Sequence, residues 1–424
     1  MTQNNRNTKR ICMISTHGYF DPVPELGKTD TGGQVVYVLE LARSLAQLGI
    51  KVDIYTRWFD KKDKQINPLS NCSDVRVIRI PAGEWEFIPK EQIYDVLPEL
   101  VENMKTFITE LGLDYDVFHG HYVDAGIVGL EVAKAFSKPF VFTAHSLGAW
   151  KRSQMTGDEE KLDKIFNFKH RVAEELRVFR AVNALAITSF DEKDNIVRLY
   201  NHSPSDIEFI PPGVDVHLFR PLNKDEKETP VALPDNFIFV VGRLAEVKGH
   251  DLLLPAFAKV LKEFPDVHLV IGGGSKNPDD EEKQVLENVH KFIDENKIGK
   301  NVHLTGGISH DKLPPYYRQS KLFILAAKYE PFGMTALEAM ACRVPVVVTK
   351  FSGIYENLVP GKNCMAMDPF DTEAYSEAIC SLLRDEALKN NVAEQGYYAV
   401  KQEFSWEAIA KKTLVFYKRI VNEN

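Results

Sequence analysis

Glu330 and Glu338 lie with seven residues between them in the run Tyr329-Glu330-Pro331-Phe332-Gly333-Met334-Thr335-Ala336-Leu337-Glu338. Pro331 breaks any preceding strand, Gly333 permits a tight turn, and a helix over Thr335–Cys342 is expected to begin at once. The first N–H groups of such a helix have no internal acceptor, so they suit an anion. A carboxylate accepts well from a pair of vicinal hydroxyls, so Glu330 on the loop and Glu338 one turn inside can each hold a hydroxyl pair. The plainer alternative, two acids drawn to the positive end of a helix, explains Glu338 poorly because it sits beyond the first turn.

Three further stretches carry polar or flexible residues at positions that matter. Gly242-Arg243 and Lys248-Gly249 place two cations within reach of one diphosphate, where they would neutralise charge on a leaving group as a divalent metal does; two exposed cations at an ordinary helix start are the alternative. His145-Ser146-Leu147-Gly148 ends an apolar run, and its histidine is suited either to donating to a hydroxyl or to bonding nearby backbone. Lys151 and Arg152 follow it, and Lys90, Lys169 and Arg171 lie in the same half of the chain. Gathered together they would suit a phosphate; dispersed they are solvated surface. Thr31-Gly32-Gly33-Gln34 precedes a helix opening at Val35, after the long loop His17–Thr31, and reads equally as an anion- or hydroxyl-binding turn and as a flexible cap. Asp114-Tyr115-Asp116 precedes a strand, at the wrong end for a metal–nucleotide, and is read as a turn. Gly272-Gly273-Gly274 fits close approach of a base or a plain turn.

Short apolar runs alternate with helix-length segments around these stretches. Arg10–Ser15, Val52–Tyr55, Val75–Ile80, Val117–Gly120, Pro139–Thr143, Ala184–Thr188 and Ile207–Ile210 read as strands, with helices such as Val35–Leu48, Leu97–Leu111 and Ile127–Phe136 between them. Arg220–Leu233 is polar and carries Pro221 and Pro230, as a linker would. The alternation then restarts, with strands Phe237–Val241, Val267–Ile271, Val302–Leu304, Leu322–Ala326 and Val344–Val348 and helices such as Asp251–Phe264 and Glu281–Glu295. Buried strands alternating with helices predict parallel sheets covered on both faces. Two doubly wound domains follow: residues 1–219 and residues 220–404, with a last helix over 405–424 packing back on the first. In such sheets ligands bind beyond the carboxyl ends of the strands, which is where the unusual residues fall.

The chain has 424 residues and a formal net charge of −8, so a nucleic acid or an anionic membrane is not expected as its main partner. Its cysteines, Cys12, Cys72, Cys342, Cys364 and Cys380, are odd in number and lack metal-ligand spacing, which points to a reducing compartment. No run approaches a membrane span, and the short basic N-terminus lacks a signal-peptide core, so the cytoplasm is expected.

In this order and spacing, Gly32-Gly33-Gln34, His145-Ser146-Leu147-Gly148, Arg243…Lys248 and Glu330…Glu338 resemble the retaining GT-B glycosyltransferase family that contains sucrose-phosphate synthase, sucrose synthase and mannosylfructose-phosphate synthase. Phe87-Ile88-Pro89-Lys90 and Gly148-Ala149-Trp150-Lys151 extend the likeness, which runs over nearly the whole chain. The resemblance implies a GT-B fold, two Rossmann-like domains facing each other across a cleft. It implies that Glu330 binds hydroxyls of the donor hexose and Glu338 the ribose. Arg243 and Lys248 would hold the diphosphate, with Gly242, Phe332, Gly333, Met334 and Thr335 lining the donor site. His145 would sit against the donor sugar, and Gly33 and Gln34 would contact donor and acceptor. Lys90, Tyr122, Ser146, Lys151, Lys169 and Arg171 match acceptor-phosphate contacts, although the family's adjacent arginines appear here as Lys169-His170, followed by Arg171.

The implied reaction transfers a hexosyl group from a nucleotide sugar to fructose 6-phosphate by front-side attack, with His145, Arg243, Lys248 and Glu330 as the catalytic set and neither metal nor cofactor required. UDP-glucose, giving sucrose 6-phosphate, is placed narrowly first because that activity is widespread in the family. GDP-mannose, giving mannosylfructose phosphate, is the alternative, and Met334-Thr335-Ala336 leans toward it; inositol phosphate as acceptor is a third. A separate phosphatase would act on the product. An inactive sugar-nucleotide binder is the competing class, opposed by the intact charged residues. A nicotinamide oxidoreductase is opposed by the missing GxGxxG.

Overall fold

The computed structural model describes residues 8–20, 33–275 and 278–423. The Thr31–Gly32 part of the glycine turn, and most of the loop before it, lie outside the described residues. By proximity the chain divides into two compact units, one of residues up to Gly213 joined by those from Trp406 onward, the other Val214–Ser405.

The first unit is built on an eight-stranded sheet. Its strands are β1 (Arg10–Ile14), β2 (Lys51–Trp58), β3 (Ile66–Leu69), β4 (Cys72–Pro81), β5 (Val117–His121), β6 (Phe140–Thr143), β7 (Ala184–Ile187) and β8 (Ile207–Phe209), in the order β3-β4-β2-β1-β5-β6-β7-β8. All pairings are parallel except β3 with β4. Helices α1 (Gly33–Gln47), α2 (Leu97–Glu110), α3 (Val123–Ala135), α4 (Gly148–Ser153), α5 (Glu159–Phe166), α6 (Phe168–Ala181) and α7 (Phe190–Tyr200) connect them. The strands are apolar because helices cover both faces: Ile11 and Met13 belong to one core cluster, Cys12 and Ile14 to another. Asp116 accepts from the backbone N–H groups of Lys9 and Arg10 at 2.7 and 3.0 Å, so the Asp114-Tyr115-Asp116 turn anchors the start of β1.

The second unit carries a six-stranded, all-parallel sheet of β9 (Phe237–Val241), β10 (His268–Gly272), β11 (Val302–Gly306), β12 (Leu322–Leu325), β13 (Val346–Thr349) and β14 (Met365–Met367), in the order β11-β10-β9-β12-β13-β14. Its helices are α8 (His250–Glu263), α9 (Asp280–Asn296), α10 (Leu313–Gln319), α11 (Met334–Ala341), α12 (Thr372–Arg384) and α13 (Glu386–Ala399). Side-chain caps fix several starts: Asp279 accepts from Glu282 N–H before α9, and Asp371 from Glu373 and Ala374 N–H before α12.

The division falls earlier than the polar linker suggested. Residues 214–219 fold with the second unit, where Phe219 packs against His310 and Tyr317, with ring centroids 4.9 and 5.9 Å apart. Within that unit Val214 N–H donates to the Phe404 carbonyl at 2.8 Å. The last helix, α14 (Trp406–Glu423), shares its core cluster with α1: Phe416, Tyr417 and Ile420 join Val38, Leu41 and Leu45. Among the described residues, no helix is long and apolar enough to cross a membrane.

Candidate active site

In the second unit the charged residues stand just past the carboxyl ends of β9 and β12. Gly242 and Arg243 follow β9 directly, and a short 3-10 turn, Glu246–Lys248, brings the chain to α8. Gly249 closes that turn at φ +70°, where a side chain would run into the Ala326 carbonyl. Lys248 reaches across to Glu330, its Nζ 2.6 Å from Oε2, in a pair that is mostly covered. Arg243 is exposed, and no ion pair or side-chain hydrogen bond engages it among the described residues.

Glu330 is held by its backbone. Its N–H donates to Phe351 at 2.9 Å, and its carbonyl accepts from Gly353 N–H at 3.1 Å. Gly333 then turns the chain at φ +117°, with Ile354 and Leu325 each 2.9 Å from where a Cβ would be. Phe332 beside it is buried. Helix α11 starts on the next residue with no acid in its first turn, so Met334 and Thr335 carry N–H groups without helical acceptors. The helix begins one residue before the expected Thr335.

Glu338 is buried, and both its oxygens are occupied. Oε1 lies 2.8 Å from His310 Nε2, and Oε2 accepts from the Tyr317 hydroxyl at 2.7 Å. The bond to Glu338 pushes the His310 pKa up, against the burial that lowers it. A ribose that bonds Glu338 must therefore share it with, or displace, His310, whose side chain is half exposed. Neither His310 nor Tyr317 carried a signal in sequence, because neither belongs to a motif and their role comes from packing. The Gly272-Gly273-Gly274 run has a packing cause of its own: a side chain at Gly273 would collide with the Gly242 carbonyl.

In the first unit the polar residues collect past β1, β5 and β6. Gln34, in the first turn of α1, donates to Ser15 Oγ at 2.8 Å and to the His121 carbonyl at 3.1 Å. Gly33 before it is exposed and open. His145 adopts φ +57°, unusual for a residue with a side chain. Its Nε2 lies 3.0 Å from His121 Nδ1, and the ring of Tyr37 meets it edge-on at 4.9 Å. Burial drives the His119 and His145 pKa values down to about 3 and that of His121 well below the ordinary range, so all three rings are neutral near pH 7. His119 reads in sequence only as part of the strand Val117–Gly120, and His121, which ends β5 here, carried no reading of its own. His17 and Asp124 form a further buried pair, Nδ1 to Oδ2 at 2.8 Å.

The residues proposed for an acceptor phosphate divide into two kinds. Arg171 is buried beside Glu175: its Nε donates to Glu175 Oε1 at 2.8 Å, its Nη2 to the Ser146 carbonyl at 2.8 Å and to Ser146 Oγ at 3.3 Å, and its guanidinium covers the Tyr122 ring at 4.6 Å. Glu175 also accepts from Gly148 N–H, at 3.0 and 3.1 Å, and from the Tyr200 hydroxyl, so the start of α4 is occupied by a carboxylate of the same unit. Tyr122, Ser146 and Arg171 thus form one packed cluster, and a charge this enclosed is braced within the domain. Lys90, 3.3 Å from Glu91, and Lys151, over the Phe166 ring at 4.6 Å, are half-buried. Lys169 is exposed, its backbone N–H donating to Asp163 at 2.7 Å.

The chain as a whole is similar to known proteins. Residues 223–399 match the family described as glycosyl transferases group 1, and residues 31–218 match glycosyltransferase family 4. The chain is 36% identical to mannosylfructose-phosphate synthase of Agrobacterium fabrum, covering 97% of this chain and 92% of that protein. It is 30% identical to a D-inositol 3-phosphate glycosyltransferase of Catenulispora acidiphila, over 97% and 96% of the two chains. Among solved structures it is similar to sucrose-phosphate synthase of Thermosynechococcus elongatus, with a TM-score of 0.75, 28% identity, and coverage of 98% and 100%.

Proposed function

We propose, from the premise that this chain belongs to the group 1 glycosyltransferases of GT-B fold, that it transfers a hexosyl group from a nucleotide sugar to fructose 6-phosphate with retention at the anomeric carbon. The observation that carries this reading is the Lys248–Glu330 pair at 2.6 Å, set beside the open start of α11. A diphosphate on Lys248, Arg243 and the N–H groups of Met334 and Thr335 would place the attached sugar against Glu330. Glu338 would take the ribose.

In the reaction the bond from the anomeric carbon to the diphosphate oxygen breaks. The acceptor hydroxyl forms its bond on the same face, and its proton passes to the leaving diphosphate. The protein's task is then to stabilise negative charge on that group, which Arg243 and Lys248 are suited to do. We assign them the role that a divalent cation fills in other transferases, so that neither metal nor cofactor is needed. His145, neutral, would bond the donor sugar. Gly33, Gln34, Lys90, Lys151 and Lys169 would receive the acceptor, with Tyr122, Ser146 and Arg171 shaping that site from beneath. The product is a phosphate ester, which a separate phosphatase would hydrolyse. All five cysteines are free, which fits a reducing cytoplasm.

The greater identity to mannosylfructose-phosphate synthase, 36% against 28% for the sucrose-phosphate synthase of known structure, moves GDP-mannose ahead of UDP-glucose as donor. The Met334-Thr335-Ala336 run leans the same way. Incubation with fructose 6-phosphate and either GDP-mannose or UDP-glucose, followed by assay of nucleoside diphosphate release, tests both donors. Release with myo-inositol phosphate in place of fructose 6-phosphate would shift the acceptor; release with none would overturn the reading.

A further inference from the structure

His121 is fully buried at the end of β5 and has two ring nitrogens to satisfy. Nδ1 lies 3.0 Å from His145 Nε2, and Nε2 has no hydrogen-bond partner among the described residues. The neighbouring ring of His119, centroid 4.0 Å away, uses both of its own nitrogens, on the Tyr417 hydroxyl at 2.6 Å and Thr143 Oγ1 at 2.9 Å.

A neutral imidazole carries one proton, and its place in His121 follows from cost. On Nε2 the proton would make a buried donor with nothing to receive it, and orphaned N–H groups are rarer in protein interiors than under-used acceptors. On Nδ1 it has an acceptor 3.0 Å away. The proton therefore sits on Nδ1, and His145 must meet it with the lone pair of Nε2. Neutral His145 then carries its own proton on Nδ1.

We propose that His121 is a positioning residue that fixes His145 in the Nδ1–H tautomer. His145 then offers the site a hydrogen-bond donor and no basic lone pair, suited to a sugar oxygen and not to proton abstraction. Two other features hold the arrangement. Gln34 Nε2 donates to the His121 carbonyl at 3.1 Å, and Tyr37, whose hydroxyl donates to the Ile210 carbonyl at 3.1 Å, sets its ring edge-on to His145. The left-handed backbone at His145 needs such support. The functional half of this inference rests on the reading of His145 as a donor-sugar contact; the tautomer half does not.

The test uses the full chain with 15N-labelled histidine. NMR of the wild type should show His145 protonated on Nδ1 alone between pH 7 and 8. In His121→Phe the Nε2–H form should become populated, and kcat should fall tenfold or more with a smaller change in KM for the donor. His121→Asn, whose amide N–H stands near the place of Nδ1–H, should restore the Nδ1–H form and recover most of kcat even if His121→Phe folds poorly. An Nε2–H His145 in the wild type overturns the proposal whether or not any nucleotide sugar is turned over. So does an unchanged tautomer, or unchanged kcat, in His121→Phe. Should the tautomers follow this pattern while no donor is consumed, the hydrogen bond stands and the proposed reaction falls.

Discussion

Lys248 Nζ stands 2.6 Å from Oε2 of Glu330, joining the turn after β9 to the loop after β12 across the carboxyl edge of one sheet. The two strands are neighbours, so sheet order alone brings together residues far apart in the chain. The pair sets the spacing between the group proposed to hold the diphosphate and the group proposed to hold the hexose.

Lys248→Ala should lower kcat by about 10²–10³, the usual cost of losing a stabiliser of transition-state charge. Both side chains are mostly covered, 25% and 16% exposed, so the same change, which leaves Glu330 without its partner, should also lower stability by about 1–3 kcal/mol. Steady-state kinetics beside a denaturant titration checks both; near-normal kcat at saturating donor counts against the assignment.

Arg171 should behave differently. Its side chain and that of Glu175 are 5% and 1% exposed, and Arg171→Ala leaves the Glu175 carboxylate buried with its main cation gone. Such a change costs about 3–5 kcal/mol. Thermal denaturation should show a large loss of stability in the first unit. A raised acceptor KM with an unchanged melting temperature would instead mark Arg171 as a direct phosphate contact.

The buried histidines make the first unit acid-sensitive. Burial holds His119 and His145 to pKa values of about 3, and His121 well below its ordinary range, whereas in the unfolded chain all three titrate near ~6.5. Unfolding therefore takes up protons below that pH. Stability should be full above ~6.5 and fall as the pH drops, by about 1.4 kcal/mol per pH unit for each histidine. Hydrogen exchange of β5 and β6 at pH 7.5 and pH 5 should reveal it, and equal protection at both would contradict it.

His310 has the opposite sign. Its bond to Glu338 raises its folded pKa above the unfolded value, so the stability it adds is complete below ~6.5 and is lost as the pH rises through the folded value. Glu338→Gln should bring the His310 pKa down, as followed by its ring proton resonances. The same variant should weaken nucleotide binding, measured by calorimetry. An unmoved His310 titration would show that the pair does not form in solution.

Sequence alone showed the strands that are apolar and almost wholly buried: Phe237–Val241 is β9 at both ends. It did not show β3, whose Ile66-Asn67-Pro68-Leu69 carries a proline on an antiparallel edge, or β14, which has only three residues. Helices α12 and α13 also went unread. Gly333 and the start of α11 were legible because turn and helix chemistry is local. The partners of Glu338 were not, since His310 and Tyr317 reach it from neighbouring elements through side-chain packing. The burial of Arg171 against Glu175 was not legible either, because it is a property of the folded unit that residue type does not carry.

The central claim, hexosyl transfer with retention to a phosphorylated ketose, is tested most directly by the product itself. The protein should be incubated with GDP-mannose, then with UDP-glucose, in the presence of fructose 6-phosphate, and the product examined by mass spectrometry and anomeric-proton NMR. A disaccharide monophosphate is expected, formed in step with nucleoside diphosphate release and carrying the donor's own α configuration at the transferred hexose. An inverted anomer, equal turnover of unphosphorylated fructose, or no disaccharide from either donor would contradict it.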